Sequence, residues 1–395
     1  VISALLIDLD DTLLANDMKR FLPVYLDRLG EHLSNLAPAE QITSLVMAGS
    51  LAMMENTDPT RTLQQVFADH FFPHFDIEAE DLIPEINQFY AEVFPGLQSL
   101  TAPRGGADQL IKSALDKGIE VVIATSPLFP LAAIEHRLDW AGVPVDRYAY
   151  ALVTSYESFH FAKPRLEYYA EILARLGLPP HQAAMIGNDP TDDLLPAQNL
   201  GLAVFDVNHD TDHYPGGDLL AATAWIERAH QEVRNDAEGH PQAILARLRG
   251  NLSALHSVLP ALDETEWNRP PKKNAWAVNQ ILCHLRDVER EVYLPRVRTL
   301  MSEDNPHISA KDTDQWSAER GYAQQSGEDA FEVFTQARLD LIEQLESLTH
   351  EQWNRPARHS LLGPTNLAEI LKFATDHDVI HLAQIRSNLK TIRKQ

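Results

Sequence analysis

The sequence predicts an α/β doubly wound parallel sheet with an inserted helical cap, followed by an all-α four-helix bundle. Three observations predict it. Apolar, β-branched runs alternate with helical patterns as far as residue 232. One long early stretch breaks that alternation with helix formers alone. Beyond residue 241 strands vanish, and four long helical patterns follow.

The first element is Ala4-Leu5-Leu6-Ile7-Asp8-Leu9-Asp10-Asp11-Thr12-Leu13, an apolar run that ends abruptly in carboxylates, with a strand expected at Leu5–Leu9. A continuous apolar run reads as a strand buried on both faces. Carboxylates at its C-terminal end lie where open α/β sheets place their ligands. Two acids two residues apart can share one reaction, one attacking while the other moves a proton. Further strands are expected at Val121–Thr125, Ala149–Thr154, Ala183–Ile186 and Leu202–Val207, with helices at Gly106–Lys117, Pro164–Leu176 and Thr191–Leu200. Residues 15–94 carry no convincing strand; Pro38, Pro59 and Pro73 punctuate a stretch rich in Leu, Met and Phe. An insert there would roof the acids. The core is therefore expected to comprise residues 1–14 and 95–232, with the cap at 15–94 and a polar linker at 233–241.

Residues 242–395 are expected to form the bundle, with helices near Gln242–Leu259, Ala277–Leu300, Glu328–Leu345 and Asn366–Leu389. The connection from Met301 to Gly327 is long for a bundle and could cover a site. Trp267-Asn268-Arg269-Pro270 recurs as Trp353-Asn354-Arg355-Pro356. The plainer reading of this repeat is a motif used twice to start a helix, with Trp as a plug and Pro setting the first turn.

Composition narrows the function. A net charge of −24 over 395 residues argues against nucleic acid and against an anionic membrane surface. The single cysteine, Cys283, excludes a disulfide framework and fits a cytoplasmic setting. No apolar run approaches a membrane span, and no signal peptide is expected.

Asp8-Leu9-Asp10-Asp11-Thr12 resembles the D-x-D-x-T signature of the haloacid dehalogenase-like (HAD) hydrolase superfamily. The later motifs follow in order: Thr125-Ser126 after the second strand, Lys163-Pro164, and Gly187-Asn188-Asp189 leading to Asp193. The resemblance covers about residues 1–232 and implies a Rossmann-like core and a Mg²⁺-dependent phosphatase. It implies that Asp8 attacks phosphorus, that Asp10 serves as acid and base, that Thr125 binds a phosphoryl oxygen and that Lys163 neutralises charge. Asp8, Asp10, Asn188, Asp189 and Asp193 would provide the Mg²⁺ site. Asn188 departs from the many members with an acid there; it can ligate through its carbonyl oxygen but brings no charge. Taken singly, the residues have plainer readings: Thr125 as a helix cap, Lys163 as a surface lysine, Asp11 as a turn. Asp10 favours an oxygen leaving group, which needs a proton, over a halide, which does not. The cap favours a small phosphorylated metabolite.

In the last helix His377 and His381 stand one turn apart on one face. His377-Asp378-Val379-Ile380-His381-Leu382-Ala383-Gln384-Ile385, with His284 and Trp276, resembles the H-x-x-x-H-x-x-Q-I pattern of the DinB-like family. This resemblance spans about residues 240–395 and implies a metal held by His284, His377 and His381, with Zn²⁺, Ni²⁺ or Fe²⁺ as suitable ions. Cys283 points about 100° away from His284 and reads as core. Two other functions fit the same chain: a regulatory or binding protein with an inactive module, and a thiol-dependent transferase centred on the bundle. Self-association through the bundle is possible, though no residue pattern supports it.

Overall fold

The computed structural model describes residues 1–75, 79–208, 213–233 and 236–394, so residues 234 and 235 of the expected linker lie outside the described residues. The chain divides into two compact units, Val1–Tyr169 with Pro180–Arg234, and Ala170–Pro179 with Asn235–Gln395.

The first unit is built on a five-stranded sheet. Its strands are β1 (Ala4–Ile7), β4 (Glu120–Ile123), β5 (Leu152–Val153), β6 (Ala183–Gly187) and β7 (Ala203–Asp206). Between β1 and β4 come two two-residue strands, β2 (Leu14–Ala15) and β3 (Ala102–Pro103). The order across the sheet is β5-β4-β1-β6-β7, with every pair parallel. All five expected strands are present. β1 is central, and its four residues are buried because sheet neighbours and helices cover both faces. The chain leaves β1 for β4 and β5 on one side and returns to β6 and β7 on the other. That reversal opens a crevice at the C-terminal end of β1.

Four helices follow β2: α1 (Met18–His32), α2 (Ala39–Glu55), α3 (Leu63–Phe71) and α4 (Ala79–Gln88). Pro38 is the N-cap residue of α2 and Pro73 lies in a 3₁₀ turn, as expected of breakers. The Thr62 side chain and Gln65 close a capping box on α3. Helical structure runs on past residue 94 to Leu100, and β2 pairs antiparallel with β3, tying the two ends of the insert together. The insert's core is aromatic: Phe21, Tyr25, Phe89 and Phe94 pack together, and Phe94 stacks on Trp140 at 5.4 Å. Trp140 ends α6 (Leu131–Trp140); α5 (Ala107–Asp116), α8 (Leu195–Leu200) and α9 (Leu219–Trp225) complete the helices of this region, and α7 (Leu166–Leu176) begins in it but belongs to the second unit from Ala170 on.

The second unit is a helical bundle. Its long helices are α10 (Pro241–Val258), α12 (Val278–Val288), α15 (Gly327–Glu346) and α17 (Leu367–Ile392). α12 passes through a π turn at Glu289–Tyr293 into α13 (Leu294–Ser302). One expectation fails here. Strands do not vanish beyond the linker: β8 (His307–Ile308), β9 (Pro356–His359) and β10 (Gly363–Asn366) form a small sheet in the order β10-β9-β8. β9 buries alternate residues, but its Pro-Ala-Arg-His sequence carries no β-branched residue to announce it. The tryptophan repeat also differs from its reading. Trp267 and Trp353 are buried plugs, yet each closes a short capped helix, α11 (Glu264–Asn268) and α16 (His350–Trp353), and Pro356 begins a strand. No helix among the described residues is long and apolar enough to cross a membrane.

Candidate functional site

The crevice of the first unit collects the residues the sequence singled out. Asp8 follows β1 directly, and its N–H donates to Ile186 of β6 (3.0 Å). On the other side the N–H of Ala124 donates to Ile7 (2.7 Å), which places Thr125 at the same sheet edge. Thr125 is buried, and its carbonyl accepts from the Thr154 hydroxyl (2.7 Å) and the Tyr168 hydroxyl (2.8 Å). Lys163 is no surface lysine. It is 4% exposed, and its Nζ donates to Asp8 Oδ1 (2.7 Å) and Asp193 Oδ1 (2.5 Å). The second Asp193 oxygen accepts the N–H groups of Asn188 (3.1 Å) and Asp189 (3.2 Å). A Cβ on Gly187 would overlap that carboxylate, so only glycine fits at the end of β6. Asp189 is exposed and accepts from Thr191 N–H (2.7 Å) and Asp192 N–H (2.9 Å), capping the next turn. Asp11 adopts a left-handed backbone (φ 56°) and accepts from Asn16 N–H, as a turn residue would.

Electrostatics follow from burial. Desolvation pushes the Asp8 carboxyl up to about 7; Lys163 opposes that, and Asp193 adds to it. Burial works against the charge of Lys163, but Asp193 and Asp8 more than offset it and hold its ammonium well above its usual range.

A hard cation fits beside Asp8. With its amide nitrogen turned inward, Asn188 donates to the Asp10 carbonyl (3.1 Å), Thr12 Oγ1 (3.0 Å) and Asp8 Oδ2 (3.3 Å). With its oxygen turned inward, Asn188 meets the Asp10 and Asp8 oxygens, acceptor against acceptor, which a cation would reconcile. Octahedral Mg²⁺–oxygen distances of about 2.0–2.1 Å imply oxygens about 3 Å apart, close to this spacing.

In the bundle unit, α12 provides His284 and α17 provides His377 and His381. The Nε2 atoms of His284 and His381 each lie 3.1 Å from His377 Nε2. One ligand atom from each ring falls within 4.8 Å of the others. His381 Nδ1–H donates to the Gln384 side-chain Oε1 (2.8 Å), leaving the Nε2 lone pair facing the cluster. Trp276 stacks on His381 and packs on His284. Burial, then repulsion from His381 and His377, lowers His284 to about 3; burial, then His381, lowers His377 to about 4. Three neutral imidazoles whose ligand atoms lie within 4.8 Å of one another can close on one first-row divalent ion at a nitrogen distance of about 2.0–2.1 Å. The cluster opens on a cavity of about 760 Å³, which Thr313 and Asp314 of the long connection also line. Cys283 is core, as expected.

A model of haloacid dehalogenase-like hydrolases matches residues 2–201, just over half of the chain. The chain belongs to the haloacid dehalogenase-like hydrolase family. Residues 247–385 match the DinB superfamily model. Two curated proteins, both provisionally named metal-dependent hydrolases, are relatives. One, from Halalkalibacterium halodurans, is 29% identical over 101 residues, 26% of this chain and 51% of that protein. The chain thus spans about half of that relative's length. The other, from Geobacillus kaustophilus, is 24% identical over 150 residues, 38% of this chain and 84% of that protein. Among solved structures, a HAD phosphatase from Thermococcus onnurineus covers 57% of this chain and 98% of its own (17% identity, TM-score 0.38). YfiT from Bacillus subtilis, a four-helix bundle, covers 40% and 88% (18% identity, TM-score 0.34).

Sequence reasoning missed two residues of the HAD-like crevice. Arg137, on α6 and 1% exposed, reaches Asp10 Oδ2 with NH1 at 2.5 Å. Asn16 Nδ2 donates to the other Asp10 oxygen at 2.8 Å. Together they fix the carboxylate. Neither stands in a motif; an arginine on an amphipathic helix carries no signal of its own. In the DinB-like bundle the missed group is Arg338, which bridges Glu289 (2.6 Å) and Asp378 (2.7 Å) in complete burial.

Proposed function

We propose that the first unit is a Mg²⁺-dependent phosphatase acting on a small phosphate ester through an aspartyl-phosphate on Asp8. The observation that carries this reading is the buried Asp8–Lys163–Asp193 chain at the end of the central strand, with Asp10 held beside it by Arg137. Asp8 attacks phosphorus as the ester P–O bond breaks, and the leaving alkoxide takes a proton from Asp10. Asp10 then removes a proton from the water that hydrolyses the aspartyl-phosphate, releasing inorganic phosphate. Lys163 balances charge on Asp8 and the transferring group, and Thr125 donates to a phosphoryl oxygen. Asp8, the Asp10 carbonyl and Asn188 would hold Mg²⁺ directly, with Asp189 and Asp193 acting behind them or through water. Mg²⁺ supplies the positive charge that cancels repulsion between the carboxylate and an anionic ester.

For the bundle we propose a transition-metal centre on His284, His377 and His381, with Zn²⁺, Ni²⁺ or Fe²⁺ as the ion. The convergent Nε2 atoms support it. A lone buried cysteine supports work in a reducing compartment such as the cytoplasm. The test of the phosphatase is turnover of 4-nitrophenyl phosphate. Mg²⁺-dependent turnover is expected, with Asp8→Asn inactive and Asp10→Asn slower by about 10²–10⁴-fold. Wild-type rates in Asp8→Asn would refute it. For the bundle, elemental analysis is expected to find about one transition metal per chain, lost in His377→Ala.

A further inference from the structure

A second cavity in the bundle unit, of about 420 Å³, is lined by Arg296, His359, Leu362, Phe373, Asp376 and Ile380 among others; the Asp376 carboxylate is already engaged by Arg247 (2.7 Å) and Lys372 (2.8 Å). The cavity's size suits a small ligand. Its walls are unusually apolar for an open site: Leu362, Phe373 and Ile380 remain 40%, 50% and 59% exposed, and Leu361, which also lines it, 79%. Exposed apolar side chains gathered at one concavity mark a binding surface.

Two nitrogen donors in this cavity lack an acceptor that matches them. The Arg296 guanidinium donates to the Ser309 carbonyl (3.2 Å) and has no carboxylate partner among the described residues. His359 is 9% exposed. Its Nδ1 accepts from Leu361 N–H (3.3 Å), which puts the ring proton on Nε2, and that buried nitrogen has no partner. In a chain of net charge −24, a guanidinium left without a counter-ion beside an unpaired N–H is a vacancy for an anion. The apolar walls exclude a bare inorganic anion as the whole ligand, because they would stay uncovered.

We propose that this cavity binds a small amphipathic carboxylate, its oxygens on Arg296 and His359 Nε2 and its hydrocarbon body against Leu362, Phe373 and Ile380. His377 lines this cavity as well as the larger one, so the bound acid lies beside one ring of the histidine cluster. The inference rests on neither the phosphatase reading nor a bound metal.

The test is calorimetric titration of the full-length protein with octanoate and, in parallel, with 1-octanol. Octanoate is expected to bind saturably at one site, with 1-octanol about tenfold weaker or worse. Arg296→Gln should bring octanoate down to the level of the alcohol, whereas Arg296→Lys keeps most of the preference. Phe373→Ser, at a half-exposed position, should weaken both ligands. Absence of saturable octanoate binding overturns the proposal. So does octanoate binding that Arg296→Gln and Phe373→Ser leave unchanged.

Discussion

Asp8 and Asp10 are two residues apart, yet different surroundings fit them for different work. Asp8 is buried, and desolvation pushes its carboxyl up to about 7. A nucleophile must be ionised, so at limiting Mg²⁺ the rate should fall as pH drops through about 7. Saturating Mg²⁺, by favouring the carboxylate, should move that fall to lower pH. Rate profiles at limiting and saturating Mg²⁺ check this; coincident acid limbs would contradict it. Asp10 is instead clamped by Arg137 and Asn16. Arg137 acts through Asp10 and is a positioning residue. Arg137→Met should lower kcat about 10–100-fold with little change in KM, and Arg137→Lys should restore part of it. A loss confined to KM would argue for substrate binding instead. At this scale the sequence was most legible where charge interrupts an apolar run. Asp8, Lys163 and Asp193 stood out because strand ends in ordered motifs leave little else for them to do. Arg137 was illegible because only folding brings α6 to Asp10.

The helices of the bundle align its histidines through charge as well as packing. Arg338 on α15 is 0% exposed and bridges Glu289 in the π turn to Asp378, the neighbour of His377 on α17. That bridge fixes the rotation of α17 and so the direction of His377 and His381. Arg338→Met should destabilise the protein by about 3–5 kcal/mol, since two carboxylates would stay buried without their cation. Denaturant titration reads this directly; a loss below about 1 kcal/mol would mean the bridge is dispensable. The histidines predict a pH dependence of their own. Burial lowers His284 to about 3 and His377 to about 4, against 6.5 when unfolded. Below pH 6.5 the unfolded chain binds protons that the folded cluster refuses. Their contribution is therefore present above pH 6.5 and lost as pH falls towards 4. In chelator-treated protein the denaturation midpoint should drop from pH 7.5 to 5, and drop less in the His284→Gln, His377→Gln double variant. Equal drops would remove the effect from the histidines. The four long helices were legible from their periodicity. The β8–β10 sheet was not, because strands of two and four residues are too short to show an alternating pattern.

For the whole molecule, the two fold classes were legible because strands alternate with helices up to residue 232, apart from the helical insert, and long helical patterns take over beyond residue 241. The two family models match either side of that change, residues 2–201 and 247–385, while Ala170–Pro179 group with the second compact unit. What the sequence could not supply was the second cavity, whose lining comes from α12's continuation, β9 and α17. Residues so far apart share no spacing that a reader could recognise. The account of the molecule as an enzyme rests on covalent chemistry at Asp8. Its most direct test is to quench Mg²⁺-loaded protein in acid during turnover of 4-nitrophenyl phosphate, reduce it with borohydride and map the peptides by mass spectrometry. An aspartyl-phosphate at residue 8 predicts conversion of Asp8, and no other acid, to homoserine. Steady turnover with Asp8 recovered unmodified would contradict it.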